Sequence, residues 1–292
     1  MTSSTVQFEQ VAALLQQGQT AGAETLCAEI VRQQPGHADA LHVLGVLAIQ
    51  RGDTDHGVEL VRKSLQIDPD HVLANCSMGN ALRELGQPWQ ALVCYGRALQ
   101  LMPGFAGAHY NKGNALLDLN RIQEALDSFE QALQLQPDYP EAHNNRGNAL
   151  RMLGRPDEAL ASYLRALQLW RNSPTALDNC ARVLRDLRRP AEALALYDRL
   201  LALNPADHEA LSERGNALLE LHRPEEALVS FDRAVTLNAE PAKALCNRGH
   251  AWLQLQQYES ALADYDSALR INPEFTQALE ARNRALVALR QP

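Results

Sequence analysis

Asparagine recurs at fixed places around a repeated five-residue phrase. The phrase is MGNAL at residues 78–82, KGNAL at 112–116, and RGNAL at 146–150 and 214–218. One series directly follows the glycine position of this phrase and consists of Asn80, Asn114, Asn148 and Asn216. The other series lies two residues before that position and consists of Asn111, Asn145, Asn179 and Asn247. A side-chain amide both donates and accepts hydrogen bonds, which suits an extended peptide backbone. It suits bonds between neighbouring helices equally well, and the residues leave both interpretations open.

No motif for catalysis or metal binding accompanies these amides. The sequence has no glycine-rich phosphate loop, no GxSxG and no HExxH, and its nine histidines show no ligand spacing. The five cysteines are widely spaced and never form a CxxC pair. We therefore predict that the protein is not an enzyme and has no cofactor and no metal.

Composition restricts the partners and the location. The 292 residues carry a formal net charge of −8, which argues against binding to nucleic acid or to an anionic membrane surface. The start, MTSSTVQFEQ, lacks the pattern of a secretory signal, and no stretch has the roughly 18 apolar residues of a spanning helix. We expect a cytoplasmic protein without membrane insertion, and the preference for arginine over lysine favours a bacterial source. The sequence does not indicate an oligomeric state.

Four residue types recur with a period of 34 residues. The series are Pro35, Pro69, Pro103, Pro137, Pro205 and Pro273; Gly45, Gly79, Gly113, Gly147, Gly215 and Gly249; Ala91, Ala125, Ala159, Ala193, Ala227 and Ala261; and the rings Tyr95, Phe129, Tyr163, Tyr197, Phe231 and Tyr265. Within residues 72–105, small and apolar residues recur at helical steps on both sides of Gly86-Gln87-Pro88, which predicts two helices. One such pair cannot bury its own apolar face, so stacked pairs must share a core.

A glycine in one helix, an alanine and a ring in the next, and a closing proline every 34 residues resemble the tetratricopeptide repeat over nearly the whole chain. The resemblance implies an all-α, right-handed superhelical solenoid of antiparallel helix pairs. The predicted units are 4–37, 38–71, 72–105, 106–139, 140–173, 174–207, 208–241 and 242–275, followed by a C-terminal capping helix in 276–292. The first unit is degenerate, with Val11 in place of the glycine and Cys27 in place of the ring, which suits a cap.

In that family the first helices line a concave groove that binds a peptide or protein partner. The resemblance therefore implies a non-catalytic protein–protein interaction scaffold, with the asparagines forming a ladder along the groove. A similar asparagine ladder occurs in the repeat domain of O-linked N-acetylglucosamine transferase. The alternative function is a substrate-recruiting arm of a larger glycosyltransferase-like enzyme whose catalytic domain is absent from this chain.

Three arginines complete the predicted groove site. Arg151 and Arg185 occupy equivalent places in neighbouring units, and Arg182 takes a place that asparagine holds in other units. A guanidinium can hold a carboxylate with two parallel hydrogen bonds, so these arginines predict an acidic group on the peptide ligand. The alternative is that Asp178, Asp186 and Glu141 neutralise them in exposed ion pairs worth about 0–1 kcal/mol each.

Overall fold

The computed structural model describes residues 3–238 and 240–290, and every regular element in these ranges is an α-helix, so the predicted all-α class is confirmed. The chain divides into two compact units, residues 1–149 and 150–292. The helices of the first unit are α1 (Ser3–Gln16), α2 (Thr20–Gln33), α3 (Ala38–Gln50), α4 (Thr54–Ile67), α5 (Val72–Glu84), α6 (Pro88–Leu101), α7 (Ala106–Asp118) and α8 (Ile122–Leu135). Helix α9 (Pro140–Met152) contains the unit boundary.

The second unit continues the same alternation of short helices. Its helices are α10 (Pro156–Leu169), α11 (Pro174–Asp186), α12 (Pro190–Leu203), α13 (His208–Glu220), α14 (Pro224–Leu237), α15 (Ala242–Gln254), α16 (Tyr258–Ile271) and α17 (Thr276–Leu289). Within each unit, helices that follow one another along the chain contact each other, and some first helices of adjacent pairs also touch, such as α3 with α5 and α13 with α15. Packing is therefore local along the chain, as in a solenoid.

Local sequence fixes where the helices begin. Several second helices start with proline, whose missing N–H is harmless in the first turn: Pro88, Pro156, Pro190 and Pro224. Several first helices start after a residue whose side chain accepts a hydrogen bond from an N–H of the first turn. Asp207, for example, accepts from the N–H of Ala210 at 2.9 Å.

The turn inside each helix pair contains one residue with positive φ, and these residues also follow the 34-residue period. They are Gly18, Gly52, Gly86 and Gly154, and the non-glycine residues Asn120, Arg188, His222 and Gln256 with φ of 56–58°. Glycine adopts this left-handed backbone without strain, whereas a side chain raises its cost. The sequence pattern indicated a turn at Gly86, but it did not indicate that Arg188 occupies the equivalent place.

The two helices of a pair approach closely because a glycine faces a buried ring. A Cβ atom added to Gly113 on α7 would lie 2.5 Å from Cε1 of Phe129 on α8, and one added to Gly215 on α13 would lie equally close to Phe231 on α14. Both rings are fully buried. Buried alanines such as Ala115 fill the space beside the rings. The core of each unit is thus a succession of small clusters between neighbouring helices.

Candidate functional site

The predicted groove residues all lie on first helices of the pairs. In the first unit, α5 carries Asn80, α7 carries Asn111 and Asn114, and α9 carries Asn145 and Asn148. In the second unit, Arg151 lies in the last turn of α9, α11 carries Asn179, Arg182 and Arg185, α13 carries Asn216, and α15 carries Asn247. The alternation of first and second helices therefore places both asparagine series and the arginines on one class of helix.

The asparagine after the glycine bonds differently depending on the ring of its own pair. In the third pair the ring is a tyrosine, and the hydroxyl of Tyr95 donates to Oδ1 of Asn80 at 2.7 Å. In the fourth pair the ring is Phe129, which has no hydroxyl, so the equivalent Asn114 is available for another donor. In these two pairs, the presence or absence of a ring hydroxyl therefore accounts for the different use of the amide.

Asn114 on α7 instead accepts a hydrogen bond from α9, the first helix of the next pair. Nδ2 of Asn145 donates to Oδ1 of Asn114 at 2.7 Å and lies 3.2 Å from the hydroxyl of Tyr110, while Oδ1 of Asn145 accepts from Asn144 at 3.1 Å. These contacts connect α7 with α9 inside the first unit. This pair of asparagines thus forms a helix-to-helix hydrogen bond, and contact with a ligand stays a prediction.

The remaining asparagines differ in exposure and in partners. Asn111 is half-buried on α7, and Asn148 and Asn179 are half-buried and interact with other groups. Asn216 donates to Glu213 at 3.4 Å. Asn247 is only 6% exposed, and its Nδ2 has no hydrogen-bond partner among the described residues. Asn114 and Asn247, which are both buried, have the least surface to offer a ligand.

The bond between Asn114 and Asn145 is expected to contribute to stability as a coupled pair. In a double-mutant cycle with Asn114→Ala and Asn145→Ala, we expect a coupling free energy of about 0.5–1.5 kcal/mol, because either single change removes the same hydrogen bond. Urea unfolding of the four proteins measures it. A second cycle that combines Asn80→Ala with Asn145→Ala serves as the control and should be additive, since these residues share no partner. Additivity in the first cycle would contradict the bond.

Two of the three predicted arginines are held by carboxylates. Arg182 donates through Nε to Asp178 at 2.7 Å, as the neutralising interpretation predicted. Arg185 instead binds two residues of α13: it pairs with Glu213 and donates through Nη2 to Glu220 at 2.6 Å. These partners lie 28 and 35 residues away in the next pair, and the sequence analysis missed them because it considered only nearby acids.

Glu213 is the centre of this charged network. It is 9% exposed, and it contacts Arg185, Lys243 at 3.3 Å and Asn216, so it connects α11, α13 and α15. Burial alone would raise the pKa of its carboxyl, but the charges of Lys243 and Arg185 outweigh burial and lower that pKa. Glu213 therefore stays ionised at neutral pH. In contrast, burial raises the pKa of Asp178 despite its bond to Arg182.

An open cavity lies beside these pairs in the second unit. It has a volume of about 490 Å³ and is lined by Arg151, Arg182, Arg185, Asp186, Arg188 and Glu220. Four arginines and two carboxylates line it; Asp178 and Glu213 neutralise Arg182 and Arg185 from outside the lining, so Arg151 and Arg188 are the cations that it offers to a ligand. Arg188 was not predicted, and the period of the left-handed turn position could have revealed it. Such a lining fits an anionic group.

The cysteine thiols are not candidates for chemistry. All five are free, and four are buried. Burial raises the pKa of Cys27 to about 11 and that of Cys180 to about 12, and it also raises the pKa of Cys94. The thiols therefore stay protonated and act as small apolar residues.

The described ranges also lack a metal site and a membrane-spanning helix. No group of three or more His, Cys, Asp or Glu side chains there is placed to hold a metal ion. Among the helices within those ranges, none has the length and apolar character needed to cross a membrane.

Stacked helix pairs of constant length with a glycine–ring contact define a helical-repeat protein. The sequence profile of the tetratricopeptide repeat matches residues 76–140, 110–175 and 181–240, and two related profiles of the same repeat match 14–76 and 242–275. The chain belongs to the tetratricopeptide repeat family. Tetratricopeptide repeats indicate a protein–protein interaction scaffold.

Solved structures agree with this assignment at the level of the fold. A tetratricopeptide repeat protein from Parabacteroides merdae ATCC 43184 has a TM-score of 0.60 and 18% identity, over 85% of this chain and 98% of that one. A chain of the APC/C hetero-tetramer Cut9–Hcn1 has a TM-score of 0.65 and 15% identity, over 97% of this chain and 56% of that one. MamA has a TM-score of 0.50 and 22% identity, over 55% of this chain and 93% of that one. No curated protein sequence matches significantly.

Proposed function

We propose that this protein is a non-catalytic scaffold whose first helices bind an extended peptide segment of a partner protein, with an acidic group of that segment in the arginine cavity. The observation that carries the proposal is the cavity itself, since four arginines line it and two of them, Arg151 and Arg188, form no ion pair with a carboxylate among the described residues. An aspartate, a glutamate or a chain-terminal carboxylate has the matching charge.

The four arginines of the cavity have different roles in this proposal. Arg182 and Arg185 are oriented by Asp178, Glu213 and Glu220, so they form a rigid wall. Arg151 and Arg188 form no ion pair with a carboxylate among the described residues, and Arg151 bonds the hydroxyl of Tyr163 instead. The acidic group of the ligand would therefore be held by Arg151 and Arg188. A preorganised wall lowers the entropy lost on binding.

The asparagines supply backbone contacts in the same proposal. An amide on an exposed part of a first helix can donate to a peptide carbonyl and accept from a peptide N–H. The half-buried Asn111 is the most suitable member of the first unit, because no described partner occupies its amide. The other asparagines would contact the peptide only to the extent that their internal hydrogen bonds allow. They are Asn80, Asn114, Asn145, Asn148, Asn179, Asn216 and Asn247.

The experiment that tests the proposal starts from the full chain. Random peptides displayed on phage are selected on it, and enriched peptides are measured by fluorescence anisotropy. We expect them to share an aspartate, a glutamate or a free C-terminus. The double variant Arg151→Gln, Arg188→Gly should weaken their binding about tenfold and flatten its salt dependence, because it removes the two cations of the lining that form no ion pair with a carboxylate among the described residues. Arg188→Gly suits the backbone, since glycine occupies that turn position elsewhere.

A matched control removes the same charge from outside the cavity. The variant Arg165→Gln, Arg270→Gln, Gln256→Gly loses two arginines from second helices and gains one glycine at a left-handed turn. It should bind like the original protein. If the cavity variant binds equally well while Asn111→Ala weakens binding, the amides carry recognition and the arginine cavity does not. Failure to enrich any acidic peptide would overturn the proposed ligand chemistry.

A further inference from the structure

A second cavity, in the first unit, has the opposite character to the arginine cavity. Its volume is about 450 Å³, within the usual range of ligand pockets. Most of its wall is apolar, formed by residues of α1, α3 and α5: Phe8, Leu15, Val43, Val46, Leu47 and Leu73. Leu73 is 53% exposed and Leu15 is 36% exposed, so the apolar wall is open to solvent.

A small polar group lies among these apolar side chains. The rings of His42 and His71 pack with centroids 4.9 Å apart, and Nε2 of His42 lies 2.9 Å from Oγ of Ser77. Nδ1 of His71 accepts from the N–H of Ala74 at 3.3 Å, so the proton of the neutral ring is on Nε2. These contacts fix the orientation of both rings.

The Nε2–H group of His71 is incompletely satisfied. The His71 side chain is only 9% exposed, and Nε2 lies 3.1 Å from Oδ1 of Asp39, but the geometry does not make a hydrogen bond. Asp39 is 55% exposed at the edge of the cavity. Among the residues that line the cavity it is the one carboxylate, and no lysine or arginine faces it. The lining therefore presents a single negative charge beside an apolar wall and a buried donor.

We propose that this cavity binds a segment of a partner protein in which a bulky apolar residue stands next to a lysine or arginine. The apolar side chain would fill the space between α1, α3 and α5, and the basic side chain would pair with Asp39. When Asp39 turns towards that cation, Nε2–H of His71 can donate to a carbonyl of the same segment. The site is independent of the acidic ligand proposed for the second unit, since no residue is shared between the two cavities.

The test uses three capped dipeptides that differ in one side chain. They are N-acetyl-phenylalanyl-lysinamide, its glutamine analogue and its glutamate analogue, titrated into the full chain while the amide signals of Val43, Val46 and Leu73 are followed by NMR. We expect a Kd of about 1 mM for the lysine peptide, as for other fragments of this size. The glutamine peptide should bind about fivefold more weakly, and the glutamate peptide more weakly still.

Two variants assign the charge preference. Asp39→Asn should make the lysine and glutamine peptides equal without changing the fold. Asp55→Asn is the matched control, because it removes an acidic residue from the first turn of α4, as Asp39→Asn does from α3, but it lies outside the cavity; the preference for lysine should remain. The proposal is overturned if none of the peptides shifts the three signals, if the glutamate peptide binds as well as the lysine peptide, or if Asp39→Asn leaves the preference intact.

Discussion

Replacing Gly113 by alanine is expected to lower the free energy of unfolding by about 1–3 kcal/mol, the usual cost of overpacking a core. The added methyl carbon would lie 2.5 Å from the ring of Phe129, which is fully buried and cannot turn away. Helix α11 carries Ala181 at the equivalent position, so a methyl can be accommodated where the whole pair is spaced for it. The pair of α7 and α8 is spaced for glycine. Urea unfolding followed by far-UV circular dichroism measures the change.

Gly96→Ala is the matched control for this prediction. Gly96 lies inside α6 of the same unit, and a Cβ atom there would meet no atom within 4 Å. Alanine favours the helix over glycine, so this variant should be more stable by about 0.5–1 kcal/mol. Opposite signs for the two substitutions are the expected result. If Gly113→Ala also stabilises the protein, the close approach between glycine and ring is not what sets the spacing of the pair.

Acid is expected to destabilise the first unit through His42. Burial, followed by the nearby His71, lowers the pKa of His42 from an ordinary 6.5 to about 4, although Asp39 acts in the opposite direction. The folded state disfavours the protonated ring. His42 therefore does not reduce the free energy of unfolding above pH 6.5, reduces it as the pH decreases from 6.5 to about 4, and causes no further reduction below that pH. At about 1.4 kcal/mol per pKa unit, the loss is about 3 kcal/mol.

The variant His42→Gln isolates this effect, since glutamine can still bond Ser77 but does not titrate. Unfolding by urea over a pH series should show a shallower decrease for the variant than for the original protein. His56→Gln is the control, because His56 is exposed on α4 and lies outside the cavity. The free energy of unfolding of this variant should depend on pH as that of the original protein does. Parallel curves for His42→Gln and the original protein would contradict the assigned role of His42.

The periodic residues allowed most of the fold to be predicted. Glycine, alanine, ring and proline at constant spacing specify helices and the contact inside each pair, because such contacts are local in sequence. The ring follows the glycine position by 16 residues in each of these pairs, as Phe129 follows Gly113, so the period alone places the two together. The eight predicted unit boundaries and the cytoplasmic, bacterial assignment stay predictions.

The candidate site was less predictable because side-chain partners depend on the distance between neighbouring pairs. The phrase GNAL is the same around Asn80 and Asn114, yet one amide accepts from Tyr95 and the other from Asn145. The deciding residues are 15 and 31 positions away. Similarly, the pairing of Arg185 with Glu213 depends on how α11 packs on α13. A period in the sequence gives the helix that a residue belongs to, but not the hydrogen bonds it forms.

The left-handed turn residues suggest how such a chain can acquire new surfaces. Each turn is a short exposed connection whose backbone favours glycine, and a side chain there costs roughly 1–2 kcal/mol. Arg188 adopts this strained backbone and places a cation in the lining of a cavity, whereas Gly154 in the preceding turn has no side chain to place there. Since the strain is confined to one pair, a single codon change can alter what a repeat presents to its surroundings while its neighbours keep their own stability. Repeated architecture of this kind separates the evolution of recognition from the maintenance of the core.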